Sequence, residues 1–150
     1  MDISLNEDQR AIEDGVAKIC SRFGDDYWTE CDTIPRFPVE FHKAMADAGF
    51  LGITMPEELG GSGLGVTEAA VMMHTVTQHG GGMAAASTIH INLFGPHPIV
   101  VHGTPEQKKR WLEPLIAGED YPPYENGLPK YVRIKGKAVR RRLKTDYTVK

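Results

Sequence analysis

Over the first 120 positions, apolar residues recur with a helical period, broken by clusters of Gly and Pro. Ile12, Val16, Ile19, Cys20 and Phe23 share one stripe of a helix expected over residues 6–23, with Glu7, Asp8, Glu13, Asp14 and Lys18 outside it. Asn6 and Gln9 stand at capping-box spacing at its start. A short helical turn carrying Tyr27 and Trp28 is expected over residues 25–32, and Pro35 and Pro38 bracket the connector that follows. Pro38 suits a first helical position, and Phe41, Met45 and Ala48 make the next stripe. Residues 66–79 read as a helix with Ala69, Ala70, Met73, Val76 and Thr77 towards the core. Gly80, Gly81 and Gly82 break the chain, because each costs about 1 kcal/mol relative to Ala inside a helix. A small-residue helix then runs from Met83 to Phe94, before Gly95, Pro96, His97 and Pro98. Thr104, Pro105 and Gln107 fit the N-cap, N1 and N3 of a last helix with Trp111, Leu112, Leu115 and Ile116 on its apolar face.

The pattern changes at Tyr121. Pro122, Pro123 and Pro129 exclude helix, and Val132, Ile134, Gly136 and Ala138 alternate with Arg133, Lys135, Lys137 and Val139 at strand period. Residues 145–150 are a candidate hairpin partner, although residues 140–144 hold no turn residue.

The helical patterns meet at residues 49–65, G-F-L-G-I-T-M-P-E-E-L-G-G-S-G-L-G. Gly49 suits a left-handed helix end. Phe50, Leu51, Ile53 and Met55 are too apolar for a solvated connector, so this loop is expected to press onto the core as a crossing between two helical hairpins. A phosphate-binding reading fails: the third Gly of G-x-G-x-x-G is missing, no Lys-Ser or Lys-Thr follows, and no strand precedes.

With its flanks, this stretch resembles a known family. A-D-A-G-F-L-G-I-T-M-P-E-E-L-G-G-S-G-L-G (residues 46–65) is similar to the helix crossing in the N-terminal domain of acyl-CoA dehydrogenases. L-N-E-D-Q-R (residues 5–10) resembles the family's opening helix, and H-G-T-P-E-Q-K-K-R-W-L-E-P-L-I-A-G-E (residues 102–119) the helix that closes that domain. The resemblance covers about the first 120 residues. It implies a mainly α fold: an N-terminal bundle of about five or six helices over residues 1–120, then an incomplete start of the family's middle β domain over residues 121–150.

The implied activity is flavin-dependent α,β-dehydrogenation of an acyl-CoA thioester. A carboxylate takes the α-proton, hydride leaves to the flavin of FAD, and an electron-transfer flavoprotein accepts the electrons. Family members are homo-oligomers. On the small-residue helix, Ser87, His90, Ile91 and Phe94 fall at i, i+3, i+4 and i+7 and share a face. The resemblance places them on the wall of the acyl-chain pocket; the alternative is a close-packed helix with His90 a core histidine. The family's flavin-contacting Thr-Glu-Pro loop is shortened here to Tyr124-Glu125-Asn126-Gly127-Leu128, which leaves Glu125 and Gly127 as candidate FAD contacts. The family's glutamate base belongs to a C-terminal helical domain without a counterpart in these 150 residues, so no catalytic residue is assigned and the isolated chain is expected to be inactive.

Composition and residue types add further expectations. The hydrophobic fraction of 41% and charged fraction of 25% are those of an ordinary globular domain, with Cys20 and Cys31 as isolated reduced thiols of a cytoplasmic protein. No signal peptide and no membrane-spanning run is visible, so no membrane partner is expected. His90, His97 and His102 are seven and five residues apart with no carboxylate between them, which does not make a metal site. The net charge of −3 hides an asymmetry: residues 1–120 carry eight Lys and Arg against eighteen Asp and Glu, whereas residues 121–150 carry nine against two. That basic tail suggests nucleic acid as an alternative, but strand alternation favours a solvated sheet face, so no nucleic-acid partner is expected. A second alternative is a non-catalytic helical module that pairs with a full-length dehydrogenase subunit; a flavin-bearing yellow preparation would favour the enzyme over it.

Overall fold

In the computed structural model, residues 4–119 are described, together with the backbone of four two-residue strands between Tyr124 and Ala138. The helices are α1 (Glu7–Cys20), α2 (Asp25–Thr33), α3 (Val39–Asp47), α4 (Val66–Thr77), α5 (Gly82–Phe94), α6 (His97–His102) and α7 (Pro105–Ile116). This is the expected helical bundle, with α6 formed in a stretch that sequence periodicity left between two helices. Both capping boxes form: Asn6 Oδ1 accepts from Gln9 N at 2.8 Å, and Thr104 Oγ1 from Gln107 N at 3.3 Å.

The main core lies where α1, α3, α4 and α5 meet the crossing loop. Phe41, Met45, Val16, Met72, Val76 and Ile89 are among its most deeply buried side chains. Phe23, Trp28 and Phe41 pack edge-to-face, at 5.5 Å for Phe23–Phe41 and 5.1 Å for Trp28–Phe41. A second, smaller cluster joins Met55 of the crossing loop to Leu112 and Ile116 of α7.

The crossing loop packs as its composition demands. Leu51, Ile53 and Met55 are each 1% exposed. Two 3-10 turns, Phe50–Gly52 and Glu57–Leu59, shape it, and Gly49 and Gly60 have φ of 81° and 87°. The chain then runs back along itself: Ser62 N donates to Gly52 O, Gly63 N to Met55 O and Leu64 N to Ile53 O, at 2.8–2.9 Å. Gly61 lies so close to the Met55 carbonyl that no Cβ fits there.

Side-chain placements depart from the sequence expectation at three places. On α3 the residues buried beside Phe41 and Met45 are His42 and Ala44, while Ala48, at the helix end, is exposed. On α4 the buried residues are Ala69, Met72, Thr75 and Val76, while Ala70 is exposed. The helix is apolar nearly all round at Val71, Met72 and Met73, so periodicity could not choose a face, and packing on α1 and α5 did. Thr75 is tolerated there because its hydroxyl donates to Val71 O at 2.9 Å. On α7, Trp111 is 42% exposed under the Arg110 guanidinium, which lies 4.9 Å from its ring centroid, and Leu112 takes the fully buried place.

Beyond Glu119, Tyr124–Glu125 pairs antiparallel with Leu128–Pro129, and Arg133–Ile134 with Lys137–Ala138. The segment read as one strand over residues 132–139 therefore contributes both members of a hairpin, with register Arg133↔Ala138 and Ile134↔Lys137. The partner expected at residues 145–150 lies outside the described residues, as do Gly127 and most of the basic tail.

Candidate functional site

Helix α5 is built from small and apolar residues, and its two faces do different things. Ala85, Ala86, Thr88, Ile89, Asn92 and Leu93 are buried. Opposite them Met83, Ala84, Ser87, His90, Ile91 and Phe94 are exposed. Met83, Ile91 and Phe94 keep 73%, 56% and 64% of their surface in water. Three large apolar residues in line along one helix are unusual for a solvated surface, where isolated apolar residues are the rule. All four residues singled out in sequence, Ser87, His90, Ile91 and Phe94, lie on this stripe. His90 is accordingly a surface residue and not a core histidine.

The stripe suits binding better than bond-breaking. His90 Nδ1 donates to the main-chain oxygen of Ser87 at 3.0 Å, so in the neutral ring Nε2 carries the lone pair. That bond goes to a backbone carbonyl, so it does not form the Ser–His pairing of a nucleophilic hydrolase. What remains is a ridge of apolar groups and small side chains that a hydrocarbon can lie against.

At its N-terminal end the stripe opens into a groove of about 360 Å³ between α5 and the α2–α3 connector. Ala84, Ser87 and Thr88 form one wall; Trp28, Phe37 and Pro38 face them. Sequence alone did not mark these aromatic residues as site elements. Pro35 and Pro38 marked only a connector, and no spacing in the chain links positions 28 and 37 to position 87. Arg36 at the rim is committed elsewhere, to Glu40 at 2.8 Å and Glu30 at 3.4 Å. It holds the Glu40 carboxyl below the usual range, while burial and then the hydrogen bond to Glu40 push the Tyr27 hydroxyl far up. Burial also raises the Cys20 and Cys31 thiols, and Cys31 lines the groove as a neutral thiol.

Behind the stripe a polar layer ties three helices together. Asn92 of α5, 1% exposed, bonds to His42 of α3 and donates Nδ2 to Leu115 O of α7 at 3.3 Å. Burial lowers the pKa of His42, partly offset by the Asn92 bond.

Of the candidate flavin contacts, Glu125 is placed only as backbone, opposite Leu128, and Gly127 lies outside the described residues. His97 and His102 stand at the two ends of α6, and among the described residues no three His, Cys, Asp or Glu converge to hold a metal. No helix of the described residues is long and apolar enough to cross a membrane.

Comparison with known proteins agrees with this architecture. The family model for the acyl-CoA dehydrogenase N-terminal domain matches residues 6–119. Mitochondrial isovaleryl-CoA dehydrogenase of Bos taurus is 35% identical over 117 residues, 77% of this chain and 27% of that protein. The NADH-dependent acryloyl-CoA reductase of Anaerotignum propionicum is 35% identical over 119 residues, 79% of this chain and 29% of that protein. Among solved structures, a chain of the Acidaminococcus fermentans electron transferring flavoprotein structure superimposes with a TM-score of 0.69 at 32% identity, covering 79% of this chain and 31% of that one. The chain thus spans under a third of the length of these relatives.

Proposed function

The chain belongs to the acyl-CoA dehydrogenase family through its N-terminal domain, and on that premise we propose that it supplies the helical wall of an acyl-CoA site. One observation supports the reading: Ser87, His90, Ile91 and Phe94 lie in line on the open face of α5, with apolar surface that the bundle itself leaves uncovered. An acyl chain laid along that face gains contact with Ile91 and Phe94, and Ser87 and Ala84 let it approach the helix closely.

In this reading residues 1–120 form the helical unit and residues 121–150 begin a β unit. The complete activity is oxidation of an acyl-CoA thioester. FAD would supply a hydride acceptor for the β-hydrogen there, and an electron-transfer flavoprotein would take the electrons, in a homo-oligomeric enzyme. Glu125 and Gly127 are the contacts this chain would offer to FAD. Its own residues have a narrower role, in which the α5 face orients the acyl group and excludes water from it. No residue on that face is a carboxylate. The 150-residue polypeptide alone therefore lacks a base for the α-proton on this wall, and general-base catalysis is worth about 10²–10⁴-fold.

The test has two parts. Calorimetric titration of the chain with hexanoyl-CoA should show binding that Phe94→Ala weakens by about tenfold, for the loss of one large apolar contact. Dye-reduction assays with added FAD across short, medium and long acyl-CoAs should show only background. Binding indifferent to Phe94→Ala and Ile91→Ala together would remove α5 as the wall. Chain-length-dependent turnover that survives repurification would mean that a carboxylate elsewhere, Glu57 or Glu58 first, reaches the substrate.

A further inference from the structure

The groove at the end of the α5 stripe has a chemistry of its own. Its apolar surface is ring-rich: the Trp28 indole, the Phe37 ring and the pyrrolidines of Pro35 and Pro38. Trp28 is held firmly. Its Nε1 donates to Phe23 O at 3.0 Å, its ring meets Phe41 edge-on, and it lies against Gly81 so closely that a Cβ there would collide with it. A fixed aromatic wall favours a flat, rigid partner, because ring–ring contacts add to simple area burial and little rotamer freedom is lost.

The rim decides the charge of the occupant. Arg36 is already paired with Glu40 and Glu30 and lies over the Tyr27 ring at 5.3 Å. Asp32 lines the groove, so an entering carboxylate or phosphate meets one acidic side chain while the Arg36 guanidinium is already occupied. A neutral group meets no such opposition. The volume of about 360 Å³ is ample for a substituted ring, since an apolar cavity of about 150 Å³ already holds benzene.

We infer that this groove receives the distal end of the acyl group as an uncharged aromatic ring, so that aryl-ended acyl thioesters are the favoured class. The inference rests on the reading of α5 as the acyl wall. Ala84 and Ser87 belong to both stripe and groove, and Phe94 lies about 10 Å further along the helix axis, at 1.5 Å per residue. In this arrangement the thioester lies towards Phe94 and the far end of the acyl group reaches Trp28.

Trp28 is also the reporter. The chain has two tryptophans, and Trp111→Phe leaves Trp28 as the sole emitter on a background that disturbs only a half-exposed ring. In this variant of the 150-residue chain, 3-phenylpropanoyl-CoA should change Trp28 emission saturably and bind about tenfold more tightly than hexanoyl-CoA. Ala84→Leu, at an exposed helical position, should abolish the emission change and the preference while leaving helicity intact. The neutral probe 3-phenylpropanamide should also perturb Trp28, more tightly than 3-phenylpropanoate. If calorimetry shows thioester binding while Trp28 emission stays unchanged, the groove assignment is overturned and the α5 reading stands. If only the free amide binds, the acyl assignment and the α5 reading both fall. No response to either probe overturns the inference outright.

Discussion

At the scale of single residues, burial and its partners set the consequences of change. Leu112 of α7 is fully buried in the cluster it forms with Met55 of the crossing loop, whereas Leu115, on the same sequence stripe, is only partly covered. Leu112→Ala should therefore cost about 2–5 kcal/mol and Leu115→Ala clearly less, read as shifts in denaturant midpoint. Equal shifts would mean that α7 is rotated from the orientation described. His42 carries a second expectation, in pH. Its folded pKa is lowered by burial, from an ordinary value of 6.5. Below about pH 6.5 the unfolded chain takes up a proton that the folded chain refuses, so the unfolded state binds more protons and stability rises with pH across that window. The His42 contribution is therefore intact above pH 6.5 and is lost as pH falls from there towards the folded pKa. Unfolding at pH 7.5 and 5.5 should show that slope, and His42→Gln should flatten it; an unchanged slope would place the titrating group elsewhere.

At the scale of elements, the crossing loop owes its shape to two different glycine requirements. Gly60 needs only its φ of 87°, since a Cβ there comes no nearer than 4.0 Å to a neighbour, Ile116. Gly61 has no positive φ but faces the Met55 carbonyl. Gly60→Ala should thus cost about 1–3 kcal/mol of backbone strain, partly relieved in Gly60→Asn, because Asn tolerates the left-handed region better. Gly61→Ala should cost more, and Gly61→Asn should give no relief. Thermal melts of the four variants separate strain from collision. If all four melt like the parent, the loop does not carry the bundle's crossing. The connector to α5 follows the same logic: Gly80 meets the Asp25 carboxylate and Gly81 the Trp28 ring, so close approach accounts for these two, whereas Gly82 has open space around it and a φ of 44°.

At the scale of the whole molecule, the bundle closes its own core yet leaves α5 with apolar residues in water. Ile91 and Phe94 contribute little to folding where they stand, so Ile91→Lys with Phe94→Lys should leave the unfolding free energy within about 0.5 kcal/mol of the parent, the usual range for surface changes. The same pair should raise solubility and lower self-association in sedimentation, because a contiguous apolar stripe is an association site. A large loss of stability would show that α5 buries this face within the bundle.

Much of this was legible along the chain because it depends on near neighbours. Capping by Asn6 and Thr104, the helix end at Gly49 and the membership of Ser87, His90, Ile91 and Phe94 in one face follow from spacings of three and four residues. The inward packing of Leu51, Ile53 and Met55 followed from composition alone, since a solvated loop has no use for them. The face that α4 buries did not follow, because a helix apolar on several sides has no preferred orientation until α1 and α5 supply one. Nor did the exposure of Trp111, since either of two adjacent apolar residues could satisfy the pattern. The polar link from His42 through Asn92 to Leu115, and the groove that brings Trp28 and Phe37 opposite Ser87, join positions tens of residues apart. No local periodicity encodes such meetings: they arise when helices pack, and only the tertiary structure decides them.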